Sequence, residues 1–532
     1  MASKIELLDS DLLDLPPSCI EFWPNNPSWF VIGTYELGKE DEDSWVNVEK
    51  ASSEVVNTDP FPNKEGIISP APLSLVDYSH EPLVFVEDTD VVSEESKGQS
   101  EPPSTLQKRN GSVMLYHLED GSLTLCQSRP YPYGAIYDLH FCPTDQDYFA
   151  VSSSTGRISL FKITTNEDTS PNLEHINTWK VFDDSVLITY FAWCPSTSTD
   201  GFLSLAVTAS TGVVQILNIT GAIYGKIHGS DLRMRKEEPP VSLHSLKIPY
   251  SGEEPQYAYC CYWACHPYTS SENFHGIFSG GDDSKLRTCI LGNPRNRDNH
   301  DDLNLQTSYS GHDAAVISIL PLPCGGKRWI FLTGSYDNKV RVIVMEWSHG
   351  PVTYDQLAEE TPIDVLADLD VGGGAYRLEF LHEYPRPTEN EPKIDSSDDI
   401  SFQVLASCME VGAKILEVER KDNIWSVKVL ASTDIEIPKW PNPTNKSQLC
   451  YASAVQPGRR DGGLVFLSSY FNKRRLSGTP KKVQPTITNE DMVFVSTCFN
   501  KRQLGVYKFV EGVMMRLTRL QLELRLFKHK SV

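Results

Sequence analysis

The residues best suited to chemistry stand at the starts of short apolar runs. His312 and Asp313 are adjacent, an imidazole beside a carboxylate, and could serve as base and orienting acid. The competing reading is structural: Gly311-His312 precedes a turn holding Asp337, and a His–Asp hydrogen bond there would brace a sheet. Ala135-Ile136-Tyr137-Asp138, Tyr257-Ala258-Tyr259 and Gly374-Ala375-Tyr376-Arg377 occupy the same place in other runs. If these strand entries face one funnel, Asp138, Tyr257, Tyr259, Tyr376 and Arg377 meet there. Aromatic faces beside carboxylates suit a cationic or quaternary ammonium group, worth about 0.5–2 kcal/mol per contact. An aromatic-lined channel with no ligand is the alternative.

Other chemistry is poorly served. There is no Gly-x-Ser-x-Gly elbow, no phosphate-binding Gly-rich loop ending in Lys-Ser or Lys-Thr, and no His-Glu-x-x-His. Gly372-Gly373-Gly374 reads as a flexible entry to a strand. Cys260, Cys261, Cys265, His266 and His275 form the densest cluster of metal-ligand types. Neighbouring strand residues point to opposite faces, and the paired Cys-x-x-Cys spacing that zinc favours is missing. No metal and no cofactor are expected. Asp283 and Asp337 read as turn residues.

These residues need a scaffold that brings distant strand entries together, and a repeat supplies it. Small residues, a turn, then alternating apolar residues closed by a bulky one recur at 150–161, 206–217, 278–287, 332–341, 405–416 and 495–507. One strand earlier, apolar runs end in an aromatic residue near Pro, as in Phe22-Trp23-Pro24, Phe141-Cys142-Pro143, Trp193-Cys194-Pro195 and Trp263-Ala264-Cys265-His266-Pro267. Proline cannot donate to a ladder and ends the strand. Gly33-Thr34-Tyr35 and Val113-Met114-Leu115-Tyr116 form a split first copy, giving seven units of roughly 45 residues. Short strands at this period without helices predict an all-β, seven-bladed WD40-type β-propeller. Its Trp-Asp dipeptides have decayed to Phe161-Lys162, Leu217-Asn218, Cys289-Ile290, Ile343-Val344, Leu416-Glu417 and Tyr507-Lys508.

The propeller is expected over 1–38 and 110–510. Residues 39–109, with 16 acidic and 6 basic residues, read as a disordered acidic insertion in the first blade. Residues 459–482 form a basic loop in the seventh blade, more readily solvated than docked. The tail 511–532 alternates Leu520, Leu522, Leu524 and Leu526 with polar residues and reads as a further strand that could close the ring. The 532 residues carry a net charge of −23, which disfavours nucleic acid and suits a cationic ligand or partner. No apolar run is long enough for a membrane span, the N-terminus lacks a signal-peptide pattern, and the scattered cysteines read as reduced thiols. A cytoplasmic monomer is expected.

Gly33-Thr34-Tyr35-Glu36-Leu37, Ser279-Gly280-Gly281-Asp282-Asp283 and Thr333-Gly334-Ser335-Tyr336-Asp337 resemble a known family. So do Gly373 to Arg377, Ala406-Ser407-Cys408-Met409 with Lys414-Ile415-Leu416, and Ser496-Thr497-Cys498-Phe499, in order along roughly 18–38 and 110–510. The family is the diphthine methyl ester hydrolases, WD-repeat proteins of diphthamide biosynthesis that also carry the name diphthine methyltransferase. The resemblance implies hydrolysis of a carboxylate methyl ester on a trimethylammonium-bearing histidine derivative of translation elongation factor 2, the protein substrate, before a final amidation. A non-enzymatic scaffold for protein assembly or endosomal trafficking is the alternative. For ester hydrolysis the expected roles are water activation by His312 with Asp313, and carbonyl polarisation by Arg377 or Tyr376. Asp138, Tyr257, Tyr259 and Tyr376 would hold the substrate.

Overall fold

The structure is a computed structural model. It describes residues 4–37, 109–165, 170–195, 203–220, 256–265, 275–291, 305–322, 328–346, 364–381, 399–409, 411–433, 450–456, 492–498 and 503–510, with short pieces at 65–66, 68–69, 222–223, 226–227, 232–237, 241–244 and 465–467. Every regular element among them is a strand, and no helix among them could cross a membrane. Seven sheets of four or more strands follow one another, numbered here by their first strands: Pro17–Phe22, Ile136–Phe141, Ile188–Trp193, Ala258–Cys265, Val316–Pro321, Arg377–Phe380 and Ser453–Gln456.

Each sheet is built from antiparallel neighbours, with burial set by position. The second strands Trp29–Thr34 and Tyr148–Ser153 are buried on both faces, so small, β-branched and aromatic residues fill them without alternation. The outer strand Ser122–Tyr131 alternates between exposed and half-buried side chains, as a strand with one wet face must. The turn from second to third strand repeats one backbone conformation. Gly156, Gly212, Ser284, Asn338 and Gly412 all have positive φ. At Gly156 a side chain would fall 2.6 Å from the Phe182 carbonyl, so glycine is required there. Phe161, Leu217, Cys289, Ile343 and Leu416, where a Trp was expected to have decayed, are all buried.

Successive sheets are stitched together in a repeating way. Ser18 Oγ donates to Ile136 O at 2.6 Å, Ser152 Oγ to Ile188 O at 3.1 Å, and Thr189 Oγ1 to Ala258 O. Cys260 Sγ reaches Val316 O at 3.7 Å, Ser318 Oγ donates to Ala375 O at 2.6 Å, and Ser407 Oγ to Ser453 Oγ at 2.9 Å. Gln456 Nε2 then donates to Pro27 O, joining the seventh sheet to the first. The apolar packing follows the same cycle. One buried cluster joins Leu160 and Trp179 of sheet 2 to Phe191 and Leu217 of sheet 3. The last joins Ala454 and Val506 of sheet 7 to Phe30 and Tyr116 of sheet 1.

At the edge of sheet 7, Lys4–Leu12 pairs antiparallel with Gln503–Val510. Asp11 accepts a hydrogen bond from the Tyr116 phenol at 3.0 Å, tying this strand to sheet 1. Residues 511–532 lie outside the described residues, as does the basic loop apart from the strand Val465–Leu467. Of the acidic insertion, Glu65–Gly66 pairs parallel with the outer strand of sheet 2, and Ile68–Ser69 with Arg233–Lys236 of sheet 3. The remainder of 39–108 lies outside the described residues.

Candidate functional site

The strand entries do converge, and tyrosine dominates where they meet. Tyr35 packs edge-on against Tyr137 with ring centres 5.0 Å apart, and Tyr376 against Tyr451 at 5.1 Å. Tyr257 stacks on Tyr259 at 5.7 Å, and Tyr259 meets Tyr336 edge-on at 5.4 Å. Electrostatic coupling of Tyr376 to both Tyr137 and Tyr336 joins these pairs into one group. With Tyr190, every sheet contributes at least one tyrosine. All keep part of their surface open. Burial and neighbouring phenols push Tyr137, Tyr259 and Tyr336 upward, so they remain neutral donors. Asp282 stands beside them: its Oδ2 accepts the Tyr257 amide at 2.8 Å, and its charge is felt by Tyr259 and Tyr336.

One residue further along these strands lies an ion pair. Arg377 Nη2 of sheet 6 donates to Asp138 Oδ1 of sheet 2 at 2.6 Å, although those sheets are not neighbours. The pair therefore joins two sheets far apart in the cycle, one residue beyond the tyrosines. The guanidinium also covers the Tyr190 ring at 4.6 Å and the Tyr376 ring at 5.3 Å. Asp138 is 1% exposed, and Arg377 spends only one nitrogen on it. Burial alone would raise Asp138, but Arg377 and His140 outweigh it and hold the carboxyl below its ordinary range.

Beyond this pair lies a second charged group. On a strand, residues two apart share a face. His140 follows Asp138 and Glu379 follows Arg377 by that interval. His140 Nδ1 meets Glu21 Oε2 at 2.8 Å, and its Nε2 lies 3.1 Å from Asp138 Oδ2, an ion-pair contact off the hydrogen-bonding line. Burial lowers the imidazole, yet Asp138 and Glu21 prevail and push it to about 10. Burial, then the Glu21 charge, pushes Glu379 up to about 8.

Asp138, Tyr376 and Arg377 thus share one contact group, and Tyr259, stacked on Tyr257, is coupled to it through Tyr376. Among the described residues, His312 and Asp313 make no contact with it. His312 Nε2 pairs with Thr333 Oγ1 at 2.9 Å, and its Nδ1 with Asp337 Oδ2 at 3.2 Å and with Arg341. Both ring nitrogens are engaged within sheet 5, the bracing arrangement that competed with a base role. Burial lowers this imidazole, opposed by Asp337. The Asp313 side chain is 87% exposed, 3.9 Å from Arg341.

Several residues escaped the sequence. His244 braces sheet 4 as His312 does sheet 5, meeting Asp283 Oδ1 and Ser279 Oγ at 2.8 Å each, while Arg287 holds Asp283. It follows Leu243, so no Gly-His pair marked it. His140 and Glu379 were legible only as residues two beyond a chosen one, and Glu21 lies in another sheet. Cys260 and Cys261 point to opposite neighbours, Val316 and Ala206. Cys265 and His275 have side chains outside the described set, as does all of His266. Among the described residues no group of three or more ligand side chains could hold a metal.

Two curated relatives are both named diphthine methyltransferase. The Saccharomyces cerevisiae protein is 26% identical over 329 residues, covering 58% of this chain and 76% of that one. The Schizosaccharomyces pombe protein is 25% identical over 375 residues, covering 69% and 84%. They bear out the resemblance to the diphthamide-biosynthesis family. No family model matches the chain. Sqt1 from Chaetomium thermophilum superposes with a TM-score of 0.42 at 11% identity, covering 85% of this chain and 78% of its own. Chaetomium thermophilum Raptor gives 0.44 at 11% identity, covering 96% and 30%. Neither score bears on fold or function.

Proposed function

We propose that this chain is a seven-bladed WD40-type propeller that acts in diphthamide biosynthesis, hydrolysing the methyl ester of a trimethylammonium-bearing side chain on elongation factor 2. The cycle of sheet-to-sheet bonds and clusters supports the propeller, with 1–38 and 110–510 as its span. The relatives' name supports diphthine and its methyl groups as candidate substrates. The observation that carries the chemistry is Arg377, fixed over two tyrosine rings with one nitrogen on Asp138 and, among the described residues, no other hydrogen bond from its fork.

The tyrosine faces take the quaternary ammonium group, for which no hydrogen bond is possible, at about 0.5–2 kcal/mol per ring. The ester carbonyl then lies toward Arg377, with the Tyr376 phenol as second donor, and both stabilise the oxyanion of the tetrahedral intermediate. Water supplies the nucleophile. Its oxygen bonds to the carbonyl carbon while Asp282 accepts its proton. Collapse breaks the bond to the methoxy oxygen, which leaves as methanol with that proton, and the carboxylic acid left behind gives its own proton to solvent to become the carboxylate product. His312 and Asp313 hold sheet 5 beside the mouth.

The test uses purified chain and elongation factor 2 carrying the methylated intermediate, read by mass spectrometry. Loss of one methylene's mass, with methanol released, supports the esterase. Gain of a methyl only when a sulfonium methyl donor is added would replace it with methyl transfer, as the relatives' name suggests. No change with stable complex formation would leave a scaffold. Within the esterase, Asp282→Asn is expected to cut kcat by about 10²–10⁴ with little change in KM. His312→Ala, corrected for folded protein, is expected to keep its turnover; the reverse pattern would restore His312 as the base.

A further inference from the structure

Asp138 is held from two sides. Its Oδ1 takes Arg377, while its Oδ2 takes the Phe191 amide at 3.1 Å and faces His140 Nε2 at the same distance. His140 is in turn held by Glu21 from sheet 1. Glu21, His140, Asp138 and Arg377 form a chain of alternating charge across three sheets. Tyr190 and Phe191 of sheet 3 confine the imidazole, with ring centres 5.3 and 5.2 Å away, and Glu379 of sheet 6 is a further titratable neighbour.

A guanidinium prefers to meet a carboxylate with two parallel bonds. Here it makes one, while the second oxygen accepts the Phe191 amide and faces the imidazolium. We infer that Glu21 and His140 are positioning residues: by occupying Asp138 Oδ2 they keep Arg377 on a single bond, leaving its other donors for a ligand in the tyrosine mouth. Without the imidazolium, Oδ2 keeps only the Phe191 amide, the guanidinium turns to meet both oxygens, and its fork is withdrawn from the mouth. The charge balance moves the same way, since neutral His140 leaves two carboxylates facing one guanidinium.

This inference deepens the proposed esterase reading, but its first readout needs neither substrate nor turnover. The full-length protein with labelled arginine is followed by NMR through the guanidinium protons of Arg377, assigned with Arg377→Lys. The wild type is expected to show one exchange-protected nitrogen up to a pH of about 10, where His140 loses its proton, and two above it. His140→Phe, which keeps the ring but removes the donor, is expected to show two at neutral pH. Glu21→Gln is expected to move the transition to lower pH. A pattern unchanged in folded His140→Phe overturns the inference. If that variant does not fold, a wild-type pattern unchanged while the His140 imidazole deprotonates overturns it equally.

The second readout is the relative affinity of two small probes, the trimethylammonium betaine of histidine and its methyl ester. Unspent donors on Arg377 favour the carboxylate form, by about tenfold or more for a charge-assisted bond. The preference is expected to shrink toward one in Glu21→Gln and His140→Phe. An undiminished preference in both folded variants overturns the inference. Binding of neither probe by the wild type counts against the mouth as substrate site and leaves the NMR result to decide the positioning.

Discussion

Asp138 concentrates more of the site's energetics than any other side chain described. It is buried, carries a full charge, and is neutralised by groups from sheets 2, 3 and 6. Removing one partner of such a pair costs about 3–5 kcal/mol, because the other charge is left buried and unpaired. Asp138→Ala is therefore expected to lower stability by about that amount, read from the urea midpoint at constant slope. Three groups give stability a pH dependence with a defined sign. Asp138 is held below its ordinary 3.8, so its contribution is present above that value and lost as pH falls further. Glu379 is raised from 4.5 to about 8, so the folded state binds more protons in that window and stability declines as pH rises through it. His140 is raised from 6.5 to about 10, and its contribution, complete below 6.5, is lost as pH rises to that value. Urea unfolding across pH 4.5 to 8 is expected to show the decline, and Glu379→Gln to flatten it.

At the scale of the element, the braced turns of sheets 4 and 5 are two copies of one device. A His spans from a Ser or Thr of the second strand to the Asp of the turn, and an Arg of the third strand closes the group. The left-handed residue after each Asp, Ser284 or Asn338, lets the turn close without displacing the carboxylate. His244→Ala and His312→Ala each remove at least two hydrogen bonds and orphan buried partners, at about 1–3 kcal/mol apiece. The two sites share no partner, so the double variant should lose the sum within about 0.5 kcal/mol. Thermal and urea unfolding of the two singles and the double check this. His312 was legible because Gly311 precedes it and Asp337 follows at the repeat's spacing. His244 sits behind Leu243, and only the fold shows the equivalence.

At the scale of the whole molecule, the strand Lys4–Leu12 pairs at the edge of sheet 7, whose buried residues Ala454, Leu504 and Val506 pack against sheet 1. Without that strand the Gln503–Val510 ladder edge is exposed and its neighbours loosen. Deleting residues 1–12 is expected to lower the Tm by several degrees, about 2–4 °C for each kcal/mol lost in a domain of a few hundred residues. A truncated chain with unchanged Tm would show that sheet 7 closes without this strand. The acidic insertion touches the same architecture from outside, where its two short strands extend sheets 2 and 3.

The sequence by itself determined what is local and periodic. Alternation of apolar residues, the recurring turn and the Pro-terminated strands depend on neighbours a few residues apart, so the strands, their order and the candidate entries Asp138, Tyr257, Tyr259, Tyr376 and Arg377 could be read directly. The tertiary structure decided what lies between sheets. Arg377 meets Asp138 across 239 residues, Glu21 meets His140 across 119, and the N-terminal strand meets the last hairpin across nearly the whole chain. No periodicity records such pairings, because each strand's pattern fixes which side chains face inward and not which opposing side chain they find there.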